Sequence, residues 1–157
     1  AGFDAVNHCH RLDNYFQYTK YVSFGMRCFN YVRRLLKLPF IIPYRLAIKH
    51  SVFSSDFRED VFPTMMPNWD HTPRSGRGGT CLHNATPELF RKHACEILST
   101  TDNKKNKIVF VKSWNEWGEG NYMEPDLKFG RGFINALKQA IQDKEIKHIN
   151  KISKINS

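Results

Sequence analysis

Residues 107–142, KIVFVKSWNEWGEGNYMEPDLKFGRGFINALKQAIQ, restrict the possible folds more than any other stretch. The continuous apolar run Ile108–Val111 passes straight into an acidic, aromatic loop. The loop passes into an amphipathic helix with Phe133, Leu137, Ala140 and Ile141 on one face. A strand apolar on both faces is covered on both faces, as in a parallel sheet. The same order occurs upstream. Thr64 to Met66 read as a buried strand cut off by Pro67, a polar loop follows, and ATPELFRKHACEILS is the clearest helix. There Thr86 suits the N-cap, Pro87 the first helical position and Glu88 the positive helix end. Phe90, Ala94, Ile97 and Leu98 form its apolar face.

Two strand–loop–helix units in succession predict an α/β fold with a parallel sheet. Each strand carries polar residues at its C-terminal end, where ligands bind in such folds. Other segments fit less sharply. GFDAVNH reads as a short strand, and residues 13–38 as partly helical with a break at Gly25 and apolar Tyr31, Leu35 and Leu38. Pro39 and Pro43 bound the short apolar run PFIIP, and a short helix over 46–50 follows it. About four strands are legible. A whole (β/α)8 barrel takes about 250 residues, and this chain has 157. The expectation is therefore the C-terminal portion of a truncated (β/α)8 TIM barrel over residues 1–147, with a disordered Lys-rich tail over 148–157.

The formal net charge of +9 raises nucleic acid and anionic surfaces as partners. The excess lies in Arg11–Lys49, with Arg27, Arg33, Arg34, Lys37, Arg45 and Lys49, and in the tail. Neither region carries a nucleic-acid motif, so a solvated helix face and a tail are expected, with no nucleic-acid partner. No apolar window is long enough to span a membrane. The opening AGFDAVNHCH has no initiator Met and no basic-then-apolar leader, so the chain is expected to start inside a domain, to lack a signal peptide and to be cytoplasmic. Cys9, Cys28, Cys81 and Cys95 are widely spaced and read as reduced thiols. His8 and His10 flank Cys9, but no second ligand pair matches them, so no metal site is expected.

Glu116, Glu119, Glu124 and Asp126 cluster within eleven residues without a Lys or Arg among them. Close carboxylates repel, and burial beside Trp114 and Trp117 would favour the protonated form of one of them. A protonated and an ionised carboxyl group at one site is the apparatus of glycoside chemistry. Trp and Tyr faces suit sugar rings, and Gly118 and Gly120 would let the backbone approach a ligand. Each residue has a plainer role open to it. Glu116 could cap a helix, Glu119 could pair with Arg74 or Arg131, and Trp114 could be core. Glu116 is in phase with Trp114 and Lys112, and a lysine pointing into a barrel would be odd, so the pleat is expected to break near Ser113. In PNWDHTPRS, Trp69, Asp70 and Arg74 could form a second wall of the pocket, Asp70 binding hydroxyls, orienting a glutamate or closing an Asx turn. Asp4 is a weaker candidate. SGRGG lacks phosphate-loop spacing.

Together PTMMPNWDHTPRS, NATPELF and IVFVKSWNEWGEGNYMEPDLKFGRGFINALK resemble the WbsX family, described as glycosyltransferases of lipopolysaccharide O-antigen biosynthesis and sharing a domain with glycoside hydrolase family 99. The resemblance covers about residues 61–141, and GFDA also fits. It implies a bacterial (β/α)8 enzyme that cleaves or transfers glycosidic bonds in polysaccharide. It further implies that Glu119 is the general acid/base and that Glu116 helps the substrate 2-hydroxyl attack its own anomeric carbon, a retaining route without an enzyme nucleophile. The expected catalytic residues are Glu116 and Glu119. The expected substrate-binding residues are Trp69, Asp70, Arg74, Trp114, Asn115, Trp117, Tyr122 and Glu124, with no cofactor or metal. The alternative is a non-catalytic carbohydrate-binding remnant of such a barrel.

Overall fold

The computed structural model describes residues 5–8 and 24–155. Asp4, Cys9, His10 and Arg11 lie outside these residues. In chain order the described elements are β1 (Val6–His8), α1 (Phe24–Leu35), β2 (Phe40–Pro43), α2 (Tyr44–Lys49), β3 (Val61–Met65), a single turn α3 (Thr72–Ser75), β4 (Thr80–His83), α4 (Pro87–Ser99), β5 (Phe110–Val111), β6 (Asn115–Glu116), β7 (Asn121–Tyr122) and α5 (Gly132–Ile155).

The chain is mixed α/β with parallel pairing. Strand β3 is central between β1 and β5, parallel to both, with Val6 opposite Val61 and Met65 opposite Val111. Strands β2 and β4 form a separate parallel pair, and β6 and β7 an antiparallel hairpin. The described strands do not close into a barrel. Sequence reasoning missed β4, which is only four residues long and follows a glycine-rich loop. The β5 run is not covered on both sides: Val109 and Val111 pack into the core while Ile108 and Phe110 stay 46% and 43% exposed.

Helix α4 forms as expected, with Thr86 Oγ1 accepting from the Leu89 amide at 3.3 Å and Pro87 in the first turn. Its buried residues Phe90, Ala94 and Ile97 face α5. The core face of α5 is Phe133, Ala136 and Ala140, with Leu137 at its border. Ile141, expected on that face, is 43% exposed because the contact with α4 follows the 133–136–140 row. The last helix continues to Ile155, past the point near Lys147 where fraying was expected. Ile149 on that extension and Ile146 just before it face solvent. Helix α1 runs through Gly25, where a break was expected, and Tyr31, Leu35 and Leu38 of this region are exposed. No helix among the described residues is long and apolar enough to cross a membrane.

A second core joins Ile42, Tyr44, Ala47, Ile48, Met66 and Leu82. It fixes the end of β3. Tyr44 Oη donates to the Met66 carbonyl at 2.7 Å, and the Met66 amide donates to His93 Nε2 at 3.2 Å. An accepting Nε2 makes Nδ1 the protonated nitrogen, which faces Ser51 Oγ at 3.1 Å. Burial pushes the Tyr44 phenol well above its ordinary range.

Candidate functional site

The site is built where the loops after β3 and β5 meet. Past Met66, Asp70 Oδ1 accepts from the Thr72 amide at 2.9 Å and from Thr72 Oγ1 at 2.6 Å. This is the Asx turn, and it starts α3. Strand β4 grips the same loop, since the Leu82 amide donates to the Trp69 carbonyl and the His71 amide to the Thr80 carbonyl. The turn leaves His71 and Arg74 on one side, pointing toward the second loop.

In the second loop the pleat ends at Val111, in accord with the expected break, and the Lys112–Ser113 peptide is cis. Ser113 and Asn121 then close the loop on itself. The Ser113 amide donates to Asn121 Oδ1 at 2.5 Å, Ser113 Oγ donates to the Asn121 carbonyl at 2.6 Å and accepts from the Glu116 amide at 3.1 Å. Asn121 is fully buried. Gly120 joins the two loops. Its φ is +51°, in the left-handed region, and a Cβ there would lie 2.9 Å from Asp70 Cβ. The Asp70 amide donates to the Glu119 carbonyl at 2.8 Å beside it.

Arg74 spans both glutamates. Its Nη1 lies 2.6 Å from Glu119 Oε1 and its Nη2 3.3 Å from Glu116 Oε1. The two carboxylates therefore share one side of the loop, and the guanidinium between them offsets their repulsion. His71 Nε2 is 3.5 Å from Glu119 Oε1. Gly118 leaves room for this arrangement, since a Cβ there would come within 3.2 Å of Glu116 Oε1 and 3.3 Å of Arg74 Nη2. The Glu119 side chain is 16% exposed, that of Glu116 43% and that of Arg74 55%. The pair thus opens to solvent through Glu116 and Arg74.

Trp114 and Trp117 are 54% and 47% exposed, so Trp114 is not core. Trp117 stacks on Tyr122 with ring centres 3.7 Å apart, and its Nε1 donates to Glu124 Oε2 at 2.6 Å. Tyr122 is held by Asn68 Oδ1 at its amide and by Asp126 Oδ2 at its hydroxyl. Burial, and then Asp126, raise the Tyr122 phenol. Asn115 is exposed and pairs with Tyr122 across the hairpin. Trp69 packs on the Tyr44 core and lies 5.7 Å from the His71 ring. Its Nε1 is buried without a hydrogen-bond partner among the described residues.

A cleft of about 350 Å³ adjoins the site. It shares Trp69, Asp70, Gly120 and Tyr122 with the loops, but Glu116, Glu119 and Arg74 do not line it. Cys81 lines it too, its thiol raised by burial and then by Asp70. Sequence reasoning picked out both glutamates, Arg74 and the aromatic pair. It missed His71, whose spacing of three from Arg74 on one turn was a usable signal. It also missed Ser113 and Asn121, which nothing local marks as structural.

The arrangement presents two carboxylates, a guanidinium and an imidazole beside a flat aromatic platform, at the C-terminal ends of parallel strands. Comparisons with known proteins bear on what such a set acts upon. A family model described as "Glycosyltransferase WbsX" matches residues 1–137. Uncharacterized protein WxcX of Xanthomonas campestris pv. campestris, from two strains, is 34% identical over 85 residues. That match covers 52% of this chain and 12% of the relative, so the chain spans a small part of the length of these relatives. No solved structure matches the chain.

Proposed function

The chain belongs to the WbsX glycosyltransferase family, and from that premise we propose that Glu116 and Glu119 form the reacting centre of a carbohydrate-active enzyme of polysaccharide metabolism. Its substrate is a glycosidic bond in a polysaccharide such as a lipopolysaccharide O-antigen, which it cleaves or transfers with retention. Residues 1–147 supply the C-terminal part of a (β/α)8 barrel, and the reaction runs in the cytoplasm. The observation that carries this reading is Arg74 touching both glutamates, which sets the two carboxylates on one side of a loop beside the Trp117–Tyr122 stack.

In this reading Glu119 protonates the leaving oxygen and later takes a proton back. Glu116 draws the proton from the sugar 2-hydroxyl as that oxygen displaces the leaving group from the anomeric carbon; water or an acceptor hydroxyl then opens the resulting 1,2-anhydro ring, passing its proton to Glu119 while Glu116 returns its own to the 2-oxygen. Trp117 and Tyr122 offer a sugar face an apolar platform, and Glu124 fixes the indole edge. Proton donation by Glu119 requires Arg74 to leave it. The guanidinium is more than half exposed and has room to swing onto a substrate hydroxyl as the glycan enters.

The Arg74 bridge also favours a second reading, glycan binding without turnover, in which the ion pair is permanent. Incubation with O-polysaccharide separates the two. Release of reducing ends without any nucleotide sugar identifies hydrolysis, and product appearing only when one is added identifies transfer. Glycan binding with neither, unchanged in Glu119→Gln, leaves the binding remnant.

A further inference from the structure

We propose that the cleft beside the glutamate loop is a second sugar subsite, holding the ring next to the one whose bond lies at Glu116 and Glu119. This rests on the reading above. The cleft lies where the N-terminal ends of α4 and α5 meet, so closely that a Cβ on Gly132 would sit 2.7 Å from Pro87 Cγ. Its volume of about 350 Å³ falls at the lower end of ligand sites, roughly 300–1,000 Å³. The lining is divided in the way a sugar ring requires. Phe129 and Phe133 supply apolar area, packed edge to face at 5.6 Å, while His83, Asn84 and Lys128 add polar groups.

Two features tie the cleft to the reacting centre. Gly120, which lines it, directly follows Glu119 in the chain. Tyr122 both lines the cleft and stacks on Trp117, so one aromatic residue belongs to both surfaces. Asp126 is already engaged. Its Oδ1 accepts from the Lys128 and Phe129 amides and its Oδ2 from the Tyr122 hydroxyl. Lys128 Nζ lies 4.8 Å over the Phe129 ring, at a position exposed to solvent. Hydroxyl groups of a ring in the cleft would meet His83, Asn84 and Lys128 as hydrogen-bonding partners.

The test uses a size-graded series of oligosaccharides released from lipopolysaccharide by mild acid, with binding followed by ligand-observed NMR. His83 is exposed, so His83→Trp narrows the cleft without entering the core, and Lys128→Ala removes a rim cation. Circular dichroism checks that both fold. The subsite predicts at least a tenfold loss of oligosaccharide affinity in His83→Trp, a smaller loss in Lys128→Ala, and unchanged monosaccharide binding. Equal oligosaccharide affinity in folded His83→Trp and the parent overturns it, as does absence of oligosaccharide binding to the parent. Turnover is read separately. If Glu119→Gln abolishes turnover while His83→Trp binds normally, the subsite falls and the glutamate centre stands. If His83→Trp loses length-dependent binding while Glu119→Gln still turns over, the glutamate centre falls and the cleft stands.

Discussion

The loops after β3 and β5 end side by side, yet they are held in opposite ways. The β3 loop hangs from the core. Tyr44 and His93 grip both backbone groups of Met66, and β4 clamps Trp69 and His71. The β5 loop has an internal frame in Ser113, Asn121 and the Trp117–Glu124 bond, and is tied to the β3 loop at Asn68 and Asp70 and to the core by Met123. The first supplies Arg74 and His71 on a fixed base. The second carries the acids on a small polar frame of its own, built around Asn121. Rigid support and reactive groups are thus divided between two loops that meet at Gly120.

Substitutions can test this division, beginning with the largest effect. Glu119→Gln is expected to lower glycan turnover by about 10²–10⁴-fold while leaving the melting temperature unchanged, measured by reducing-end release and thermal unfolding. An unaltered rate would place the chemistry elsewhere. Gly120→Ala strikes both loops at once, because φ is +51° and the new methyl group meets Asp70. A cost of about 1–3 kcal/mol should appear in denaturant unfolding together with a fall in activity. Stability preserved in this variant would mean that the loops do not depend on their junction.

The next two variants should divide their effect differently between stability and rate. Tyr44→Phe leaves the Met66 carbonyl unpaired in the core and should cost about 1–3 kcal/mol of stability, with the rate of the remaining folded protein kept. Ser113→Ala removes the hydroxyl that links Glu116 to Asn121 and should cost about 0.5–1.5 kcal/mol, with a proportionally larger drop in kcat than in Tyr44→Phe. If both variants changed rate and stability in the same ratio, the two loops would be one cooperative unit and the contrast would fail.

The periodic parts of the chain were the most legible. Helix α4 follows from its cap, its proline and an apolar row of which Phe90, Ala94 and Ile97 are buried and Leu98 half-buried. The break near Ser113 was expected because Lys112 would otherwise point into a barrel; the pleat does end at Val111, although Phe110 and Lys112 lie on an exposed face. Other assignments failed where pattern and burial part company. Tyr31, Leu35, Ile108 and Ile141 are apolar at regular spacing and yet face solvent, because periodicity states which residues share a face and not what covers it. For the site, composition marked the acids, and the likeness to a family assigned their roles. The alternative pairing of Glu119 with Arg74 was legible as an option. Its extension to Glu116 was not, because it depends on α3 bringing residue 74 across 42 positions of chain.

What the sequence determined by itself is local: an α/β order of elements, a capped helix, an acidic loop with glycines in it, and membership of a family through motifs long enough to be specific. Tertiary structure alone decided that Asn121 is buried to frame the loop, that Trp114 and Trp117 stay about half exposed, and that one guanidinium lies between the two acids. The physical reason is range. Backbone preference and side-chain periodicity act over a few residues, whereas burial and ion pairing depend on which distant segments the packed core brings within a few ångströms.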